Sequence, residues 1–251
     1  MIISYDGTSF HGWQIQKRVR TIQGEVERAL STVLRRPIRL IGAGRTDRGV
    51  HAERQVTHFS HIEKISSLTH LLYSLCGLLP PDIRPLSCTP TSSSFHAQRS
   101  ALGKEYRYVV WNGSSLPPWK RLYSWHYPHA LSLAEMRKAI PHLTGKRDFA
   151  SFAHHANRGA AGRNSMRNLH NIFLSQREEE IQFFFQGDGF LYKMVRNLMS
   201  TLLEIGRGKR SVDSLPELIA QRDRRLLSGT APAHGLFLSR IFYEAIPLPG
   251  Q

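Results

Sequence analysis

In the run Gly42-Ala43-Gly44-Arg45-Thr46-Asp47-Arg48-Gly49-Val50-His51-Ala52, one carboxylate stands between two arginines and glycines frame it on both sides. Arg45 and Arg48 favour the ionised form of Asp47, because a nearby positive charge stabilises a carboxylate. A carboxylate held deprotonated is suited to nucleophilic or electrostatic work and is a poor proton donor. Residues 38–41, just before it, are apolar enough for a strand, so the segment reads as a loop leaving a strand end, where chemistry tends to sit. An isolated Arg-x-Asp is usually a surface ion pair at a turn. The glycine-framed string is far more specific than that.

The elements that must position this loop follow from the hydrophobic pattern. Residues 1–5 read as a strand, left by the turn Asp6-Gly7-Thr8. Residues 21–34 form a helix, with Ile22, Val26, Ala29, Leu30, Val33 and Leu34 on one face, Thr21 as its cap and Pro37 as its stop. A returning strand is expected over 55–59, and a second helix over 66–76 with Leu68, Leu71, Leu72 and Leu75 as its stripe. The Pro- and Ser-rich stretch 78–94 reads as a passage between lobes. Beyond it, 105–111 is a Tyr- and Val-rich strand. Ser132 and Glu135 have the spacing of a capping box opening a helix that carries Leu133, Met136, Ile140 and Leu143. Pro141 within that pattern predicts a kink or an early end. Strands at 169–174 and 181–185, a strongly apolar helix over 190–205 and a last strand at 237–243 complete the pattern. Neighbouring strands that read as meanders favour α+β with largely antiparallel sheets. The expectation is two lobes, 1–94 and 95–251, each a sheet flanked by helices, with a basic active-site cleft between them.

Charge is the strong deviation in composition. The 251 residues hold 34 Lys plus Arg against 19 Asp plus Glu, a net charge of +15 with a sequence pI near 10.4, while 41% apolar residues fit a globular chain. Such an excess points to a polyanionic partner or a membrane surface. It is spread over short clusters, among them Lys17-Arg18-Val19-Arg20, Arg35-Arg36, Arg207-Gly208-Lys209-Arg210 and residues 222–225, as a folded basic surface would be. Folded RNA is the natural ligand of such a surface, since phosphate contact supplies most of the affinity. Cys76 and Cys88 form no Cys-x-x-Cys pair, and none of the 13 histidines falls at metal-binding spacing, so no metal or disulfide framework is expected. With no leader-like start and no apolar run approaching a membrane span, a soluble, intracellular protein is expected.

Several ordered motifs resemble those of the tRNA pseudouridine synthase A (TruA) family, over almost the whole chain from Tyr5 to Tyr243. They are Tyr5-Asp6-Gly7-Thr8 with Gly12-Trp13-Gln14, the Asp47 string, and Leu79-Pro80-Pro81-Asp82-Ile83. Then come Phe95-His96-Ala97 with Lys104-x-Tyr106-Arg107-Tyr108, Phe190-x-x-x-Met194-Val195-Arg196-Asn197, and Ala233-His234-Gly235-Leu236-Phe237-Leu238. The resemblance implies a cytoplasmic, homodimeric isomerase that turns uridine into pseudouridine at positions 38, 39 and 40 of the tRNA anticodon stem-loop, without cofactor or metal. It implies that Asp47 is the essential aspartate, Tyr106 the tyrosine that contacts the substrate, and Arg196 the basic residue paired with the aspartate. Arg45 would fill the gap left by the flipped nucleotide, since an enzyme acting on a stacked base must extrude it. The chain departs from the family where Gln98 follows Phe95-His96-Ala97, a place the family commonly gives to Arg.

Read without the resemblance, these residues leave alternatives open. Arg196 flanks the apolar stripe of its helix and either reaches out to solvent or meets a buried carboxylate such as Asp47. Tyr106 and Tyr108 point to one face of their strand, so at least one of them can be plain core. A noncatalytic basic RNA-binding protein explains the charge but leaves the Asp47 loop without purpose. A nuclease using Asp47 with His51 would need further carboxylates for a metal, and the acidic residues are too dispersed.

Overall fold

The computed structural model describes residues 1–154 and 164–244. The chain divides into two compact units: Met1–Leu102 joined by the residues from Phe237 onward, and Gly103–Leu236. Each is a mostly antiparallel sheet with helices, so the α+β class expected from the pattern is the one adopted.

In the first unit the strands β1 (Ile2–Tyr5), β2 (Ile41–Gly42), β3 (His51–His58), β4 (Ile83–Ser87) and β10 (Leu236–Phe242) accompany helices α1 (Ile22–Val33) and α2 (Leu68–Leu78). The order is β4-β1-β3-β10, with β2 on β3. Strand β1 is antiparallel to β3 and to β4, whereas β10 runs parallel to β3 through Phe237↔His51 and Leu238↔Ala52. That pairing extends the return strand: it begins at His51, ahead of the expected 55. A residue almost two hundred positions away supplies the partner, so no local pattern announces it. Pro85 sits in β4, which pairs with β1 inside the stretch read as a linker, and proline is tolerated on such an outer strand.

The apolar stripe of α1, with Ile22, Val26, Ala29 and Leu30 buried, follows the predicted face, and Thr21 caps it by accepting from Gly24 N–H. Its polar side explains why residues 38–40 are not a strand. Ser31 Oγ accepts from Ile38 N–H (2.9 Å), Glu27 Oε1 accepts from Leu40 N–H (2.8 Å), and Gln23 Nε2 donates to Leu40 O (2.9 Å). Gln23, Glu27 and Ser31 lie four residues apart and so share one helix face. They take up the backbone groups that a neighbouring strand would otherwise bind, and only Ile41–Gly42 pairs as β2.

The second unit holds β5 (Gly103–Trp111), β6 (Trp125–His126), α3 (Leu133–Leu143), β7 (Gly145–Asp148), β8 (Met166–Arg177), β9 (Glu180–Gly187), α4 (Met194–Gly206) and α5 (Leu215–Ala220). The order is β5-β9-β8-β7, antiparallel throughout, with β6 added parallel to β5. Strands β8 and β9 form a hairpin whose two-residue turn, Glu178–Glu179, puts Glu178 at a left-handed φ of 54°. Tyr108, Phe183, Phe185, Met194, Leu198 and Leu202 are part of its core.

Helix α3 keeps half of the expected capping box. Ser132 Oγ accepts from Glu135 N–H (3.3 Å), but the Glu135 carboxylate bonds Lys138 Nζ and the Ser132 N–H donates to Gly206 O (2.8 Å). The helix does not stop at Pro141. It closes two residues later with Thr144 N–H on Ile140 O (3.0 Å), because a proline in the last turn removes only one helical bond.

Gly235 is required by close packing. A Cβ there would lie 2.8 Å from Tyr108 Cζ and 2.9 Å from Val109 O, and Tyr108 cannot withdraw, since its buried hydroxyl donates to Pro232 O (2.8 Å). Gly235→Ala is therefore expected to destabilise by about 1–3 kcal/mol, lowering the midpoint about 2–4 °C per kcal/mol. Thermal unfolding followed by circular dichroism checks this, and an unchanged midpoint would refute the packing argument.

Candidate active site

The Asp47 loop joins β2 to β3, and its backbone is fixed from several sides. Ala43 N–H donates to Val56 O (2.8 Å). The fully buried Gln55 grips Gly44 through both ends of its amide: Nε2 donates to Gly44 O (2.6 Å) and Oε1 accepts from Gly44 N–H (3.2 Å). Tyr5 Oη and Thr46 Oγ1 share a hydrogen bond of 2.8 Å, and both residues are buried. Burial pushes the Tyr5 phenol up from its ordinary value, against the pull of its hydrogen bonds to Thr46 and Gln55, so it remains a neutral hydroxyl.

Under the loop runs the segment 7–13. Trp13 N–H donates to Thr46 O (3.0 Å). Gly12, at φ +90°, comes so close that a Cβ would lie 2.6 Å from Thr46 O and 3.1 Å from Asp47 C. A Cβ on Gly7 would overlap the Val50 carbonyl. A turn with Val50 N–H on Asp47 O (3.1 Å) and Gly49 at φ 78° then leads into β3. At its start the buried His51 stacks on Phe237 at 4.7 Å between ring centres, with Nδ1 3.1 Å from both Gly7 N and Asp6 Oδ1. The outcome is a half-buried Asp47 between exposed Arg45 and Arg48 on a backbone with little freedom.

Tyr106 and Arg196 belong to the second unit. Tyr106 is 7% exposed, pairs in register with Phe185 and meets the Phe190 ring edge-on at 5.1 Å. Both tyrosines are buried, Tyr108 wholly so, and burial holds the Tyr108 phenol well above the ordinary value while the Arg196 charge acts in the opposite direction. Arg196 is half-buried on α4, its Nε donating to Ala231 O (2.7 Å) while Ala231 N–H returns to Arg196 O (3.1 Å). Thr230 and Asn197 bind each other (2.7 Å), and Arg224 reaches Thr230 (2.8 Å) and Gly229 O (3.1 Å), so the stretch ending at Ala231 is tied to the helix.

A family model described as tRNA pseudouridine synthase matches residues 139–244. Over 97% of its length the chain is 43% identical to the tRNA pseudouridine synthase A 1 of Protochlamydia amoebophila (strain UWE25), covering 95% of that protein. It is 41% identical to the tRNA pseudouridine synthase A of Lactobacillus helveticus (strain DPC 4571), covering 97% of this chain and 93% of the relative. For the tRNA pseudouridine synthase A 1 of Desulfotalea psychrophila (strain LSv54 / DSM 12343) the identity is 39%, over 97% of this chain and 98% of the relative. The chain belongs to the tRNA pseudouridine synthase A family.

For this family member, the residues that shape the Asp47 loop are ones that sequence patterns alone pass over. Gln55 reads as an ordinary strand position and Tyr5 as a strand aromatic. Gly7 and Gly12 were the available signal, since glycines near a charged loop mark places where backbones approach closely. Among the described residues no group of three His, Cys, Asp or Glu side chains converges to hold a metal ion, and no helix is long and apolar enough to cross a membrane.

Gln55→Ala would strip both bonds from the buried Gly44 peptide, at about 1–3 kcal/mol for each unsatisfied group. Gln55→Glu would keep an acceptor for Gly44 N–H and oppose a carboxylate to Gly44 O. Both variants are expected to speed amide exchange across residues 44–47 by at least about tenfold, with Ala the faster. Hydrogen–deuterium exchange checks this, and wild-type protection in both variants would remove Gln55 from the loop's support.

Proposed function

We propose that this chain converts uridine to pseudouridine in the anticodon stem-loop of tRNA, at positions 38, 39 and 40, with Asp47 as the acting carboxylate. The observation that carries the reading is a half-buried aspartate between two exposed arginines, on a loop whose Gly44 and Thr46 peptides are held by Gln55 and Trp13 and whose Thr46 hydroxyl is bonded to Tyr5. Such pre-organisation favours attack, because the reacting group need not be ordered during the reaction.

The reaction breaks the N1–C1′ bond, turns the uracil and joins C5 to C1′, while the C5 proton leaves and N1 regains one. Atoms and electrons balance within the nucleotide, so the isomerisation calls for no co-reactant. Asp47 acts at C1′ or at C6 of the uracil. Tyr106 stacks on the extruded base, an assignment that its ring contact with Phe190 supports by fixing the ring's orientation. Arg196 keeps Asp47 ionised, as the resemblance assigns, and its Nε bond to Ala231 fixes the guanidinium plane. Arg45, exposed beside Thr46, enters the helical gap left by the flipped nucleotide. The basic surface tracks phosphates and supplies affinity. A homodimer working in the cytoplasm completes the proposal; it rests on the family resemblance, and sedimentation velocity tests the stoichiometry.

Asp47→Ala is expected to lower pseudouridine formation by at least about a thousandfold, some 4 kcal/mol of barrier, while leaving the Kd for tRNA within about threefold, because the basic surface and not Asp47 supplies the affinity. Base-level mapping of pseudouridine in treated tRNA, beside a filter-binding titration, checks both parts; substantial isomerisation by the variant would sink the assignment.

Arg196→Ala is expected to slow the single-turnover rate at saturating enzyme more than it weakens binding, since an aspartate without its cation is harder to keep ionised and oriented. A phosphate-contacting arginine behaves otherwise, lowering the salt slope of binding by about one unit. A normal saturating rate with a flattened slope would move Arg196 to the RNA-binding surface.

A further inference from the structure

Residues 95–100 contribute to two cavities of the first unit. Gln98 stands in the wall of one of about 230 Å³, with Trp13, Gly44 and Arg45. Phe95, His96 and Arg99 line a larger one of about 1440 Å³, together with His58 at the end of β3. Arg45 is two residues from Asp47, so the turn that carries Gln98 belongs to the surroundings of the Asp47 loop.

Side chains bond the backbone of this turn. Ala97 is wholly buried; its N–H donates to His58 Nδ1 (3.1 Å) and its carbonyl accepts from Tyr243 Oη (2.7 Å). The N–H groups of Gln98 and Arg99 both donate to His96 Nδ1, each at 3.2 Å. Ser100 closes the turn: its N–H donates to His96 O (2.8 Å), and its Oγ accepts from His96 N–H (3.0 Å). Three successive N–H groups thus depend on two imidazole nitrogens. A ring nitrogen that accepts carries no proton, so both rings are neutral in this arrangement, with their hydrogen on Nε2.

A proton on His58 Nδ1 would face the Ala97 N–H, and that buried peptide would lose its partner. The surroundings oppose such a proton. The His58 and His96 rings lie 4.8 Å apart, Phe95 packs edge-on against His58 at 6.1 Å, and β2 sets Ile41 opposite it. Around the shared cavity β3 brings Arg54, β10 brings Arg240, residues 59–65 bring His61 and Lys64, and residues 88–100 bring Arg99. Cys88 and Tyr243 stay neutral there, since burial raises both above their ordinary values. Glu63 is the one carboxylate among the described lining residues. It is 77% exposed and 4.0 Å from Arg36, so it offers an imidazolium little compensation. Burial lowers the His58 imidazole below its ordinary value, and the charges of His96 and the Met1 amino group act in the same direction.

We propose that His58 and His96 are positioning residues for the isomerisation: as neutral imidazoles they hold residues 97–99 beside Arg45, and acid releases this turn. The sign follows from linkage. A histidine that takes a proton more readily once released than in place weakens the held state as the pH falls through its ordinary value, about 6.5. The kinetic consequence rests on the reading of this chain as an RNA isomerase; the holding of the turn does not.

Asparagine separates the acceptor from the charge, because its Oδ1 takes the place of Nδ1 and does not titrate. Protection factors from hydrogen–deuterium exchange, corrected for intrinsic exchange rates, are measured for residues 97–99 at about pH 7.5 and about pH 5.5, either side of the ordinary histidine value. Beside them, kcat/KM is measured on an anticodon stem-loop RNA. Wild-type protection is expected to fall about five- to tenfold at the lower pH, the linkage of one histidine released to about 6.5. His58→Asn is expected to keep its protection within about twofold, and its kcat/KM to fall at least about threefold less than that of the wild type. His58→Ala loses protection at Ala97 at both pH values. His96→Asn keeps the protection of Gln98 and Arg99 at the higher pH, and His96→Ala loses it. An equal fall of protection in the wild type and His58→Asn, or wild-type protection in both alanine variants, overturns the proposal. An equal fall of kcat/KM in those two enzymes overturns the link from the turn to the reaction. Absence of isomerisation by every enzyme overturns the isomerase reading instead, and the protection factors then still decide whether the two histidines hold the turn.

Discussion

The position of Asp47 depends on how a buried stretch of backbone is satisfied where no sheet ladder reaches it. Residues 43–46 leave β2 and enter protein interior, with Ala43, Gly44 and Thr46 buried, and an unpaired peptide there would carry a large desolvation cost. The fold supplies partners one at a time: Val56 for Ala43, the Gln55 amide for Gly44, and the Trp13 N–H for the Thr46 carbonyl. The Gln55 amide does for Gly44 what a neighbouring strand would do, with one donor and one acceptor side by side. Because these contacts come from β3 and from the segment after β1, the loop cannot shift without disturbing both. Moving Gly44 by 1 Å would cost two buried hydrogen bonds.

The same device appears along α1. Gln23, Glu27 and Ser31 take the backbone groups of residues 38–40, which would otherwise need a strand partner. Polar helix positions usually face solvent, and here a row of them replaces a strand. Gln23 extends the chain of dependence to Gln14 and Ile15, so the helix, the approach to the Asp47 loop and the segment under that loop form one hydrogen-bonded unit. Side chains that bond backbone fix geometry without closing the surface.

These substitutions for sheet hydrogen bonds mark the boundary of what the sequence makes legible. The buried face of α1, the Thr21 cap, the strand of Tyr106 and Tyr108, and the α+β class follow from periodicity and turn chemistry, which are local. The Asp47 loop is legible because its unusual composition is itself local. Strand β3 starts at His51 because β10 lies beside it, and residues 38–40 avoid strand pairing because α1 presents three polar side chains; both depend on contacts between distant segments. Pro141 inside α3 shows the complementary case, a strong local signal weakened by its place in the last turn. Gln55 was the hardest to see, since nothing in a strand pattern separates a glutamine that faces solvent from one buried against a glycine peptide.

Rigidity and reach are assigned to different groups. The groups that set the loop's shape, Tyr5, Gly12, Trp13 and Gln55, are buried or pressed against backbone, and changing one of them alters geometry. The groups that extend from it, Arg45 and Arg48, are exposed, and changing one of them alters what is met outside. A folded RNA presents the same phosphates at many places, so charge alone brings it to the surface without choosing a nucleotide. Choice needs groups with direction, such as amides and planar cations, set at fixed distances from one another. A stiff backbone under exposed polar side chains provides this, because a substitution at an exposed position alters the surface without moving Asp47. Accuracy of placement and breadth of recognition can therefore change independently in this fold, since different atoms carry them.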